Sequence, residues 1–135
     1  MYEIIELSEE QSEEINEALS VYNTEHITYR KEGSVCIGIT EEGQLIAGLN
    51  AYVTCYKIIY LDTLFVKEEY RRKGLAKQLI TELEYRAKEL GMNLIRVDTF
   101  DWQGKELYLA MGFETVGHYR CEEDGFEEYF FIKKI

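Results

Sequence analysis

A chain of 135 residues with 46% hydrophobic and 30% charged side chains reads as one domain over residues 1–135, large enough to bury a core without metal or disulfide staples. Fifteen basic residues against twenty-six acidic ones give a net charge of −11. That balance argues against non-specific binding to nucleic acid or to an anionic membrane, which positive patches carry, and it suits a cationic partner such as an amine. No apolar run approaches the roughly 20 residues of a membrane span and the first residues lack a signal-peptide pattern, so the expected location is cytoplasmic.

Tyr2–Leu7 alternates enough to predict a first strand, and Ser8 with Gln11 three residues on reads as a capping box. Ile15, Leu19 and Tyr22 then mark a first helix. Residues 21–31 read as a second short helix or a loop. Ser34–Thr40 is a strand, Glu41-Glu42-Gly43-Gln44 a hairpin turn, and Gln44–Tyr56 a long strand whose two faces alternate. Of three cysteines, an odd number with no close pair, Cys36 and Cys55 sit in strand-like runs and are expected to be buried, while Cys121 lies in a polar stretch. With only His26 and His118 to join them, a metal site is not expected.

The chain is organised around residues 58–90. Ile58, Ile59, Tyr60, Leu61, Leu64, Phe65 and Val66 form an apolar run suited to a strand covered on both faces. After a charged turn, Ala76, Ile80, Leu83, Ala87 and Leu90 recur four and three residues apart, one face of a helix that Gly91 ends. Between them stands Arg71-Arg72-Lys73-Gly74-Leu75-Ala76. The first turn of a helix offers unpaired N–H groups and a partial positive charge to an anion, and Gly74 lets the backbone approach one closely. Arg71, Arg72, Lys73 and Lys77 crowd cations where the helix dipole disfavours them, a cost that a bound phosphate would offset.

Residues 93–99 form the next strand, entered through the helix and so parallel to the central one. Gln103–Met111 is a short helix closed by Gly112. Glu114–Tyr119 and Phe126–Ile132 make a last antiparallel pair around the acidic turn at Glu122–Gly125. The order implies a mixed α/β (α+β) sheet, mostly antiparallel, with helices on its faces.

Arg71-x-x-Gly74-x-Ala76, preceded by Leu64-Phe65-Val66 and followed by a long helix, resembles the acetyl-CoA signature of the GNAT N-acetyltransferase superfamily. Leu107-Tyr108-Leu109-Ala110-Met111-Gly112-Phe113 is similar to that family's second block. The resemblance implies a sheet with two splayed central parallel strands, here 58–66 and 93–99, acetyl-CoA as donor, and a small-molecule or peptide amine as acceptor. It implies that backbone groups of Leu64, Phe65 and Val66 bond the pantetheine and thioester. The N–H groups from Arg72 through Leu75 to Ala76 would hold the pyrophosphate, with charge from Arg71 and Lys73. It also implies that residues 21–31 shape the acceptor pocket.

Tyr108 falls on the position of the family's general acid. A phenol with a reference pKa near ~10 can donate to a departing thiolate at neutral pH. The competing reading is a tyrosine packed in a helix interface. Asp62 interrupts an apolar strand and is the candidate base, directly or through water. Alternation puts it on the side of Leu64 and Val66, and an ion pair with an arginine is the competing role. Where the family often carries asparagine and alanine, seven and four residues before the tyrosine, this chain has Asp101 and Gly104. Asp101 is thus either a cofactor contact or a helix cap, and Gln103 is a further cofactor contact by resemblance to small bacterial members. Neither motif block holds Cys or His, so direct transfer in a ternary complex is expected. The rival from another class is a non-catalytic acyl-CoA-binding module. A nucleotide-phosphate site is disfavoured by the missing Lys-Ser/Thr of a P-loop. No motif forces an interface, which leaves monomer and homodimer both open.

Overall fold

Strand β3 (Ile58–Val66) and helix α2 (Leu75–Glu89) form the expected strand-turn-helix, joined through a 3-10 turn at Glu68–Tyr70, in a computed structural model that describes residues 1–135. Leu79, Ile80, Leu83 and Ala87 are the buried face of α2. It ends in a Schellman arrangement: Gly91, at φ 85°, donates to Lys88, and Met92 donates back to Ala87. The remaining elements are α1 (Glu9–His26), β1 (Ser34–Glu41), β2 (Gln44–Val53), β4 (Leu94–Phe100), α3 (Lys105–Ala110), β5 (Glu114–Cys121) and β6 (Phe126–Lys134).

Six strands lie in the order β1-β2-β3-β4-β6-β5. All neighbours are antiparallel except β3 and β4, which run parallel and pair only over Ile58–Tyr60 and Leu94–Arg96. Beyond Tyr60 their pairing ends; the mixed sheet is as the order of elements predicts, and the parting of the central strands is as the family resemblance implies. One continuous core joins α2 to one face of the sheet, through Leu49, Ala51, Ile59, Leu61, Ile95, Val97 and Phe131, and takes in Tyr108 of α3. Lys133 of β6 clamps both helices to that face, donating to Glu84 of α2 and to the Met111 carbonyl that ends α3. Phe131 is fully buried between the Tyr108 and Tyr129 rings. Phe131→Ala is expected to cost about 3–5 kcal/mol, a large share of the ~5–15 kcal/mol of a typical domain, read as a lowered urea midpoint.

Three expectations are corrected. Tyr2–Leu7 forms no strand and pairs with none, although β1 of the same chain is left as a free edge of the sheet. Residues 21–31 do not lie over the site: α1 runs on to His26 and none of its residues is buried. The linker behind it is tied down instead, Tyr56 donating to the Tyr29 carbonyl and Val53 to that of Gly33, with the Lys57 ammonium 5.2 Å from the Tyr29 ring centre. Cys36 is exposed rather than buried, because it pairs with Asn50 on the sheet face that neither α2 nor α3 covers.

Candidate active site

The turn into α2 is shaped to hold an anion. Arg72 and Gly74 both have left-handed backbones, at φ 63° and 80°, with Lys73 between them at negative φ. This alternation turns successive N–H groups toward one concavity, and the helix opens directly onto it. Gly74 is the N-cap and contributes no side chain, and the first helical bond runs from Gln78 back to it, so the amides of Leu75, Ala76 and Lys77 stay free. A Cβ on Gly74 would meet nothing within 4 Å; the glycine is needed for its φ, and the space above it is open. Arg71 is placed by donating from Nε to the Val66 carbonyl at 2.8 Å while its guanidinium lies 5.4 Å from the centre of the Phe65 ring. Lys73 sits 5.5 Å from the centre of the Tyr70 ring. No acidic side chain stands in the first turn. The turn therefore offers backbone donors and cations to an anion.

The gap between β3 and β4 leads inward from that turn. Lys67 donates to the Ile46 carbonyl of β2, and Phe65 pairs in register with Gly48. Strand alternation then turns the backbone groups of Leu64 and Val66 toward the gap and those of Phe65 toward β2. Of the three residues expected along a pantetheine chain, Leu64 and Val66 turn their backbone groups toward the gap. Phe65 instead carries a ring 58% exposed on the uncovered face.

Tyr108 closes the inner end. Its residue is buried, with Phe113 edge-on at 5.3 Å and Phe131 at 6.0 Å between centroids. Phe113 is swung back onto the ring because Gly112, at φ 86°, ends α3 and lets Phe113 donate to the Tyr108 carbonyl. Gly104 leaves room for the same ring: a Cβ there would stand 3.0 Å from Tyr108 Cε2, a tight contact that the ring would have to ease by shifting slightly. The hydroxyl forms no hydrogen bond within the chain, yet it is not a sealed unsatisfied atom, so it opens onto accessible space. Burial, helped by the charges of Asp98 and the neighbouring Tyr60, pushes its pKa up to about 12. The phenol keeps its proton throughout the physiological range.

The other expected residues are placed differently. A bulge opposite Asn50/Ala51 makes Asp62 the extra residue of β3, so it is not on the side of Leu64 and Val66. It is exposed, has no arginine partner, and accepts from Thr63 Oγ1 at 3.0 Å. Asp101 does not cap α3, whose N-cap is Gly104; it accepts from the Glu127 amide at 3.2 Å and ties the turn to β6. Gln103 Oε1 accepts from the Phe100 amide at 2.9 Å, and the buried Thr99 hydroxyl is 3.4 Å away, so this side chain holds the β4–α3 turn. A pair that sequence reading passed over stands at the fork. Tyr60 donates to Asp98 Oδ2 at 2.9 Å, and its pKa is raised to about 12 by burial, that bond, and the charges of Asp98 and Asp62, against Arg96. Asp98 is a carboxylate in a strand just as Asp62 is, and the same argument would have found it.

The sheet forks between its parallel strands, with a turn rich in backbone donors and cations at one opening and a protonated phenol at the inner end. The chain matches the acetyltransferase (GNAT) family over residues 1–113, and it belongs to that family. It is 30% identical over 78 residues to thialysine N-epsilon-acetyltransferase of Bos taurus, a stretch covering 53% of this chain and 46% of that protein; the chain thus spans about half the length of this relative. Over 96 residues it is 28% identical to the blasticidin-S acetyltransferase of Streptomyces morookaense, covering 70% of each. A solved acetyltransferase from Bacillus cereus ATCC 14579 superposes on 99% of this chain and 98% of its own, at 27% identity and a TM-score of 0.93. The segment up to His26 is about a fifth of the chain, so a score that high requires the projecting N-terminal helix to superpose as well.

Proposed function

We propose that the protein transfers an acetyl group from acetyl-CoA to a primary amine by direct transfer in a ternary complex, in the cytoplasm. The observation that carries this is the free Tyr108 hydroxyl at the inner end of the fork, its proton held by burial. Bound acetyl-CoA supplies the activated thioester. The turn at Arg72–Ala76 holds the pyrophosphate, Arg71 and Lys73 supply charge, and Leu64 and Val66 present backbone groups along the gap. Tyr108 Oη holds the proton that the departing thiol takes. On the uncovered side, Asp62 receives the proton of the amine directly or through water, and the Tyr60–Asp98 pair lies beside it.

Thiol release measured over a panel of amines tests this reading. Two exposed carboxylates at the fork, Asp62 and Asp98, in a chain of net charge −11 favour acceptors that carry a second cation over neutral or acidic ones. Added salt is expected to narrow the preference. A preference for acidic acceptors, or transfer only to hydroxyls, contradicts the acceptor assignment. CoA binding without turnover on any amine favours a non-catalytic acyl-CoA-binding module.

A further inference from the structure

The N-terminal 26 residues are out of place for a single chain. Ile4 is 100% exposed, and Ile5, Leu7, Ile15, Leu19 and Tyr22 are all more than half exposed. On α1, Ile15, Leu19 and Tyr22 fall on one stripe, and Glu9, Glu10, Glu13, Glu14 and Glu17 fall on the opposite side at 100° per residue. A helix so patterned is built to lie on an apolar surface, but it touches none in its own chain.

The surface it lacks is present. The sheet face away from α2 and α3 is bare over β1–β3. Gly38 and Gly48 floor a trough there, walled by Leu45, Phe65 and Cys36, with Lys67 at its rim. The free edge of β1 (Ser34–Glu41) has no proline and no charge before its last residue, Glu41, and the bulge in its pairing falls on β2, at Ile46, whereas edge strand β5 itself carries a bulge, His118 and Arg120.

Total area gives the scale. A monomer of 15.9 kDa is expected to expose about 7,400 Å², and this chain exposes 9977 Å². The excess of about 2,600 Å² per chain, about 5,200 Å² for two chains, lies at the upper end of the total that obligate homodimers bury. The chain's own arm does not supply the cover: the anchored linker at Tyr29 and Gly33 sends α1 away from the sheet, in a pose shared with the solved Bacillus cereus chain.

We propose that the arm, residues 1–26, docks on a second copy of this chain, Tyr2–Leu7 pairing with the free edge of β1 and α1 lying across the bare face of β1–β3. Two such exchanges form a closed two-fold dimer. Because Tyr60, Asp62 and Phe65 lie on that face, each acceptor site is walled by the other chain; this part rests on the function proposed above. The strand expected at Tyr2–Leu7 then exists, but between chains.

The test uses the full chain and a variant with Ile15→Glu and Leu19→Glu, two positions whose exposure spares the fold of one chain. Light scattering should give the wild type about twice 15.9 kDa and the variant the monomer mass. Cys36 in the wild type should be alkylated by N-ethylmaleimide at least about tenfold more slowly than in the variant, while both keep a melting shift with CoA. Refolding the variant together with Tyr108→Phe should restore amine turnover, since one site of the mixed dimer has a sound arm and a sound core. A wild type that is monomeric, or dimeric with Cys36 as reactive as in the variant, overturns the proposal. A dimer with Cys36 protected but no turnover on any amine supports the docking and overturns the acceptor reading alone.

Discussion

Tyr108→Phe is expected to lower kcat by about 100-fold or more, within the usual range for losing a general acid. Phenylalanine keeps the ring against Phe113 and Phe131 and removes only the hydroxyl. Since that hydroxyl makes no hydrogen bond in the chain, its loss strands no buried partner, and melting temperature and CoA affinity should barely change. The pH dependence adds a second mark. With the phenol at about 12, raised from 10.0, the donor stays charged with its proton up to and beyond pH 10, so Tyr108 itself should impose no alkaline fall in kcat below that. A group whose folded pKa is raised stabilises the fold fully below its unfolded value and loses that contribution as pH rises through the folded one. For Tyr108 that window is pH 10 to about 12, and Tyr108→Phe should be less sensitive to it. Steady-state kinetics and a CoA titration of both proteins decide the matter: a variant with nearly full kcat leaves thiolate protonation to water.

What was legible in the sequence is what local chemistry determines. The β3–turn–α2 unit follows from an apolar run, a helical period and a glycine at each end, all within residues 58–91, and the left-handed Gly74 agrees with the motif that singled it out. The place of Tyr108 was legible from its block because Gly112 and Phe113 close back onto it through short-range bonds.

Pairings between distant residues were not legible. The face of Asp62 depends on a bulge against β2, which period-two counting cannot see. Asp101 is engaged by Glu127 from a strand far along the chain. The alternation of Tyr2–Leu7 predicted a strand and the spacing of Ile15, Leu19 and Tyr22 a helix; the helix forms, the strand does not, and the apolar side chains of both are exposed in this chain.

Gly74→Glu is expected to abolish CoA binding without unfolding the protein. A ligand at about 100 times its Kd stabilises the native state by roughly 2.7 kcal/mol, which for a domain of this size raises the melting temperature by about 5 to 15 °C. CoA should produce that shift in the wild type. The substitution acts on binding in two ways. It forces a side chain onto a left-handed backbone, at roughly 1–2 kcal/mol, and it puts a carboxylate at the point toward which the free amides of Leu75, Ala76 and Lys77 and the charges of Arg71 and Lys73 are directed. No atom lies within 4 Å of the new Cβ, so no packing is broken, and the unliganded variant should lose only a few degrees of melting temperature. Gly74→Ala separates the two causes, because it keeps the backbone strain and omits the charge; it should retain part of the CoA shift where Gly74→Glu retains none. A full shift in the glutamate variant would mean that the phosphates bind elsewhere, and the turn at Arg72–Ala76 would lose its assignment.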